Sequence, residues 1–66
     1  MQITVNGSQR DMPDGITVAD LLTLLELNPR TMVVQRNDVL IDRNAFDTAS
    51  LAEGDVVELV RFVGGG

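Results

Sequence analysis

Apolar and polar residues alternate at the start of the chain. In "MQITVN", Met1, Ile3 and Val5 fall on one side and Gln2, Thr4 and Asn6 on the other, the period-2 signature of a half-buried strand. Asn6-Gly7 follows, a pair that tolerates positive φ at both positions and so predicts a tight hairpin. "SQRDM" returns as a short polar second strand, and Pro13-Asp14-Gly15 predicts a turn. The period then changes. Val18, Leu21, Leu22 and Leu25 recur at i, i+3, i+4, i+7 and form one apolar stripe of a helix. Thr17, with Asp20 three residues on, has the spacing of a capping box. Asn28-Pro29 should stop this helix after about ten residues, because the residue before proline avoids helical backbone.

"TMVVQ" predicts a third strand, Asn37-Asp38 a turn and "VLI" a fourth strand. "DRNAFDTASL" reads as irregular, with one helical turn near Asn44 to Asp47. Gly54-Asp55 is a last turn, and "VVELVRFV" is the longest β-branched and apolar run, which marks it as the central strand. The order is β-β-α-β-β-β without an internal repeat. It implies an α+β fold: a mixed five-stranded sheet with one helix across one face and the first and last strands side by side. Leu21, Leu22 and Leu25 should be buried against Ile3, Val5, Val57 and Leu59.

Composition narrows the chemistry. The 66 residues contain no Cys and no His, so thiolate, zinc-site and histidine-based acid–base chemistry are excluded. The net charge is −5, and all five cations are Arg. An acidic chain without a basic cluster is a poor nucleic-acid binder and better suited to basic surfaces on protein partners. No run approaches the ~18 apolar residues of a membrane span, and the start lacks the features of a signal peptide, so the expected location is cytoplasmic. No phosphate-binding glycine loop is present. "DRNAFDTASLAE" places Asp42, Asn44 and Glu53 at EF-hand positions one, three and twelve, but Asp47 stands where the loop requires Gly. No metal site is expected.

What remains is the ending, Gly64-Gly65-Gly66. Three glycines at a set place have odds of roughly one in 3,000 at background frequency. Glycine arms lack Cβ atoms, so they can thread a narrow channel and lie against another protein's backbone. A terminal α-carboxyl titrates near ~3.5 and is ionised at neutrality. Such a carboxylate can attack the α-phosphate of ATP held by an enzyme, and the acyl-adenylate is then open to a nucleophile.

The chain resembles the ubiquitin-like β-grasp proteins that end in Gly-Gly, and among them the sulfur carriers of bacterial thiamine thiazole synthesis. The resemblance runs from "MQITVNG" through "TVADLL" to "LAEGDVVELVRFVGGG", where Leu51, Gly54-Asp55, Val57-Glu58 and the terminal glycines fit the closing pattern. Asn37, Arg43 and Phe46 fit the middle stretch. Arg36 departs from it, standing where an apolar residue is common, and Asp42 stands where Pro is frequent. The resemblance implies that Gly66 is adenylated by an E1-like enzyme with ATP and magnesium, converted to a thiocarboxylate with sulfur from a persulfide donor such as a cysteine desulfurase, and then used by a thiazole synthase. It implies a protein co-substrate, not an enzyme, with no bound cofactor and monomeric when alone. Residues 1–63 would form the β-grasp domain, and 64–66 a flexible tail in which Gly64 and Gly65 pass into partner active sites. Val60, Phe62 and Val63, just upstream, are the expected partner-binding residues. Two alternatives share the tail: the small subunit of molybdopterin synthase, whose members are usually longer, and a ubiquitin-like modifier. The chain has no Lys, so as a modifier it could not form isopeptide-linked polymers of itself.

Overall fold

The computed structural model describes residues 1–62. Val63 and the expected tail Gly64–Gly66 lie outside the described residues. Five strands form one sheet: β1 (Gln2–Val5), β2 (Ser8–Asp11), β3 (Met32–Arg36), β4 (Val39–Ile41) and β5 (Val56–Arg61). Their order is β2-β1-β5-β3-β4. The long β-branched run is central, as its apolarity implied. β5 runs parallel to β1, with Val5 beside Val57, and antiparallel to β3, with Val34 opposite Leu59. Helix α1 (Val18–Leu24) is the one α-helix among the described residues. This is the β-grasp arrangement expected from the sequence.

Both hairpins turn for a local reason. Asn6 and Gly7 have φ of 49° and 83°, and Asn37 and Asp38 have 51° and 68°. Positive φ at both central residues defines the type I′ turn, whose twist matches that of the flanking strands. The core is wholly apolar. Ile3, Val5, Val57 and Leu59 from the sheet meet Val18, Leu21 and Leu22 from α1, closed by Ile16, Met32, Val34, Phe46 and Leu51. No polar or charged residue is buried among the described residues.

The start of α1 follows the sequence closely. The Thr17 hydroxyl accepts from the Asp20 amide at 3.1 Å, and the Asp20 carboxylate accepts from the Thr17 amide at 3.0 Å. The next orphan donors go to the loop behind: the Val18 amide to the Ala49 carbonyl and the Ala19 amide to the Phe46 carbonyl. That pairing ties the irregular segment 42–51 to the helix and brings Phe46 and Leu51 into the core.

The end of α1 differs from expectation. The helix spans seven residues and stops at Leu24, well before Pro29. Glu26 takes a left-handed φ of 59°. Its amide donates to the Thr23 carbonyl at 3.0 Å, and the Leu27 amide to the Leu22 carbonyl at 2.8 Å. These are the two bonds of a Schellman cap, formed here without the usual glycine. The cap turns the chain so that Leu27 packs against the core. Leu25, expected to be buried, becomes the C-cap residue and is only half-buried. Asn28-Pro29 instead starts a 3-10 turn, Pro29–Thr31, with the Asn28 side chain accepting from the Arg30 amide. The helical turn expected at Asn44–Asp47 lies at Arg43–Ala45.

Candidate functional site

The described part of the chain contains no cluster of three or more metal-ligating side chains, and the two carboxylates of the EF-hand spacing have structural duties. Asp42 caps the 3-10 turn by accepting from the Asn44 amide, and Glu53 accepts from the Gln2 amide at 3.0 Å. The EF-hand spacing thus belongs to a cap and a strand contact. No helix is long and apolar enough to cross a membrane among the described residues.

The strand that leads to the glycines is the middle one of the five. β5 pairs on both sides and donates its own ladder to β1 and β3. Two asparagine side chains extend that pairing where the strands run out. β1 stops at Val5, but the Asn6 side chain continues its edge. Asn6 Oδ1 accepts from the Leu59 amide at 2.8 Å, and Asn6 Nδ2 donates to the Leu59 carbonyl at 3.1 Å. At the start of β5, the Asn37 amide donates to the Val56 carbonyl at 2.7 Å, Asn37 Oδ1 accepts from the Val56 amide at 2.9 Å, and Asn37 Nδ2 reaches Asp55 Oδ1. The sequence marked Asn6 and Asn37 only as turn residues. Their side-chain roles depend on strands far away in sequence, and no local pattern signals them.

Alternation along β5 sorts its side chains. Val57 and Leu59 are buried against the helix, so Val60 and Phe62 lie on the open face with exposures of 56% and 38%. Two of the expected partner-binding residues therefore sit where the sequence placed them, at the end of the central strand. The third, Val63, lies outside the described residues, as do Gly64, Gly65 and Gly66. Three further apolar side chains share the open face: Val33, directly opposite Val60, with Leu40 and Val56. The sequence did carry a signal for Val33. It stands between Met32 and Val34, so the strand is apolar on both sides, which a strand with one solvated face does not need.

Arg43 lies over the Phe62 ring, with its guanidinium carbon 5.6 Å from the centroid. Cation–π attraction at such a partly exposed site is worth about 0.5–1 kcal/mol. The Phe62 amide also donates to the Thr31 carbonyl at 3.0 Å, continuing the β5 ladder one residue past the strand. Phe62 is thus fixed in place yet exposed, at the root of the segment that follows. Both departures from the family pattern fit locally. Arg36 donates from Nη1 to the Ser50 carbonyl at 2.9 Å, which ties β3 to the loop before β5. Asp42 provides the cap of the turn that carries Arg43.

With this geometry in hand, the comparisons decide the family. The ThiS family model matches residues 3–66. The chain belongs to the ThiS family. The sulfur carrier protein ThiS of Bacillus subtilis is 38% identical over 53 residues, which cover 80% of each chain. A crystal structure of the thiamine biosynthesis protein ThiS from Geobacter metallireducens superimposes with a TM-score of 0.87 at 33% identity and full coverage of both chains. A thiazole synthase of Paramagnetospirillum magneticum is 32% identical across all 66 residues. The chain spans only 20% of that protein's length, and the same share of a second thiazole synthase, from Magnetococcus marinus, at 35% identity. The ThiS match includes the last four residues, so the glycine ending is part of the family pattern and not an isolated feature of composition.

Proposed function

We propose that this ThiS-family chain is the sulfur carrier for thiazole formation in thiamine biosynthesis, and that it acts as a protein co-substrate with Gly66 as the reacting residue. The observation that carries the reading is the family match, which runs through residue 66. The Gly66 carboxylate attacks the α-phosphorus of ATP on an E1-like adenylating enzyme. A phosphoanhydride bond breaks, and pyrophosphate and the acyl-adenylate result. A carboxylate is a poor acyl donor, and the adenylate supplies the leaving group. The terminal sulfur of a persulfide then attacks the acyl carbon and AMP departs. A thiol then attacks the persulfide-derived inner sulfur of this acyl disulfide and breaks its S–S bond, leaving the thiocarboxylate on Gly66 and a disulfide. The partner consumes ATP, with magnesium accompanying its phosphates, and the carrier itself needs no resident cofactor.

The thiocarboxylate sulfur is then delivered to a thiazole synthase. Two thiazole synthases contain a region similar to this whole chain, which supports that acceptor. Val60, Phe62 and Val63 form the expected contact at the root of the arm, and Gly64 and Gly65 give it the slimness to enter both enzymes. Exposed apolar side chains gathered beside a reactive end are the usual mark of a docking face.

The test weighs the intact chain after incubation with its adenylating enzyme, ATP, magnesium and a persulfide donor. A mass gain equal to sulfur replacing oxygen, confined to the C-terminal peptide, is expected. Residues added after Gly66 should abolish it, because the acid would no longer end the arm. No pyrophosphate exchange and no mass change, with an active cognate enzyme, refute the reading.

A further inference from the structure

The other face of β5 carries a second feature. An open concavity of ≈ 470 Å³ lies between the β1–β2 hairpin, the end of α1 and β5. Leu25, Leu27 and Leu59 contribute its apolar surface, and Ser8, Arg10 and Arg61 its polar rim. The chain has ten Asp and Glu against five Arg, yet no carboxylate lines this concavity. Among the described residues the one ion pair joins the Met1 amine to Asp14, so neither rim arginine is paired there. Two other arginines are engaged elsewhere, Arg36 on the Ser50 carbonyl and Arg43 on the Phe62 ring. Among the described residues the concavity thus gathers two arginines and no carboxylate around an apolar floor, on a chain of net charge −5.

Its place bears on the arm. Arg61 immediately precedes Phe62 and points to the opposite face of the strand. It stands five residues before Gly66, at most about 18 Å of extended chain. A protein that draws Gly66 into its active site comes close to this strand end, where Phe62 lies on one face and Arg61 on the other.

We propose that the concavity docks an acidic loop of the adenylating enzyme. A carboxylate of that loop pairs with Arg10 and Arg61, and an adjacent aliphatic side chain covers Leu25, Leu27 and Leu59. The proposal rests on the sulfur-carrier reading and deepens it by assigning a second contact. The activating enzyme meets the carrier free in solution, where complementary charge sets the encounter and its orientation. On a chain of net charge −5, an isolated pair of cations opposite the apolar face fixes which way round the carrier docks.

The test measures binding of the full chain to its cognate adenylating enzyme by calorimetry, for the parent, Arg10→Glu, Arg61→Glu and Arg30→Glu. Each substitution changes the net charge equally, and Arg30 lies outside the concavity. All three side chains belong to exposed residues, and thermal melts verify the fold; Arg10→Ala and Arg61→Ala replace any reversal that lowers stability. Arg10→Glu and Arg61→Glu should each weaken binding about tenfold, with Arg30→Glu within twofold of the parent. Added salt should weaken the parent more than either rim variant. Equal affinity for parent and rim variants overturns the proposal, as does an equal loss with Arg30→Glu. A loss confined to binding of the thiazole synthase overturns it too. So does a gain in affinity, which would place the chain's own carboxyl end in the concavity. Pyrophosphate exchange by the parent is read separately. A parent that binds but is not adenylated refutes the sulfur-carrier reading, while the affinities still decide the docking site.

Discussion

Replacing Asn6 isolates what a side chain can do as a piece of β-sheet. In a strand, the amide and carbonyl of one residue point to the same side, so both Leu59 groups face the edge of β1. β1 ends at Val5, and the Asn6 amide group satisfies both at 2.8 and 3.1 Å. Asn6→Gly removes the two bonds and keeps the backbone at ease at φ 49°. At about 0.5–1.5 kcal/mol per bond, the loss is about 1–3 kcal/mol. Asn6→Ala removes the same bonds and adds left-handed strain of about 1–2 kcal/mol, for a total of about 2–5 kcal/mol. Urea unfolding of the parent and both variants gives the two differences, and the gap between Ala and Gly reads the strain less the extra backbone entropy that glycine loses on folding. Amide exchange adds a local readout, because the Leu59 amide should exchange faster in both variants. A Gly variant within a few tenths of a kcal/mol of the parent, with the Leu59 amide still protected, would refute the reasoning.

The remaining predictions concern the core, the helix cap and the docking face. Leu22 is fully buried, so Leu22→Ala should cost about 2–5 kcal/mol, comparable with the whole stability that a core this small supplies, ~3–5 kcal/mol; a melt within a degree or two of the parent would contradict the core assignment. Glu26 holds φ 59° at the Schellman position, so Glu26→Gly should raise stability by up to about 1 kcal/mol, and a loss in denaturant melts would show that the Glu26 side chain contributes more than the relief of strain. Phe62→Ala should weaken binding to the adenylating enzyme by about tenfold or more, as for a buried aromatic anchor, with the melting temperature little changed; unchanged affinity by calorimetry removes Phe62 from the interface.

The fold was legible where local chemistry and global packing agree. The alternation of Met1 to Asn6, the two positive-φ turns and the i, i+3, i+4 stripe of α1 each specify an element without outside help, and the central place of β5 follows from its apolarity on both faces. The end of α1 was not legible, because two stop signals compete. Pro29 marks a boundary that any reader finds first. The actual stop at Leu24 depends on bringing Leu27 to the core, and that gain outweighs the strain of a left-handed Glu26. The inward turn of Phe46 and Leu51 was hidden for a similar reason: their segment has no period, and it is placed by carbonyl bonds to the first turn of a helix some thirty residues away.

The site divides along the same line. Val60 and Phe62 could be placed from alternation alone, since Val57 and Leu59 have to face the helix. Val33, Leu40 and Val56 complete the open-face patch only through strand pairing, and the arginines of the concavity meet only when the β1–β2 hairpin and β5 fold against the end of α1. A sheet of this size buries one face under its single helix and has nothing left to cover the other. The exposed apolar side chains on β5 and its neighbours therefore gain little from folding and are left for a partner to bury. On the proposed reading Gly66 carries the chemistry, and the described body, which buries no polar or charged residue, serves to position it. The β-grasp holds one strand rigid through ladders on both sides and two asparagine clamps. On the same reading, Val60 and Phe62 on one face of β5 and Arg10 and Arg61 on the other give a partner two separate contacts close to the chain end.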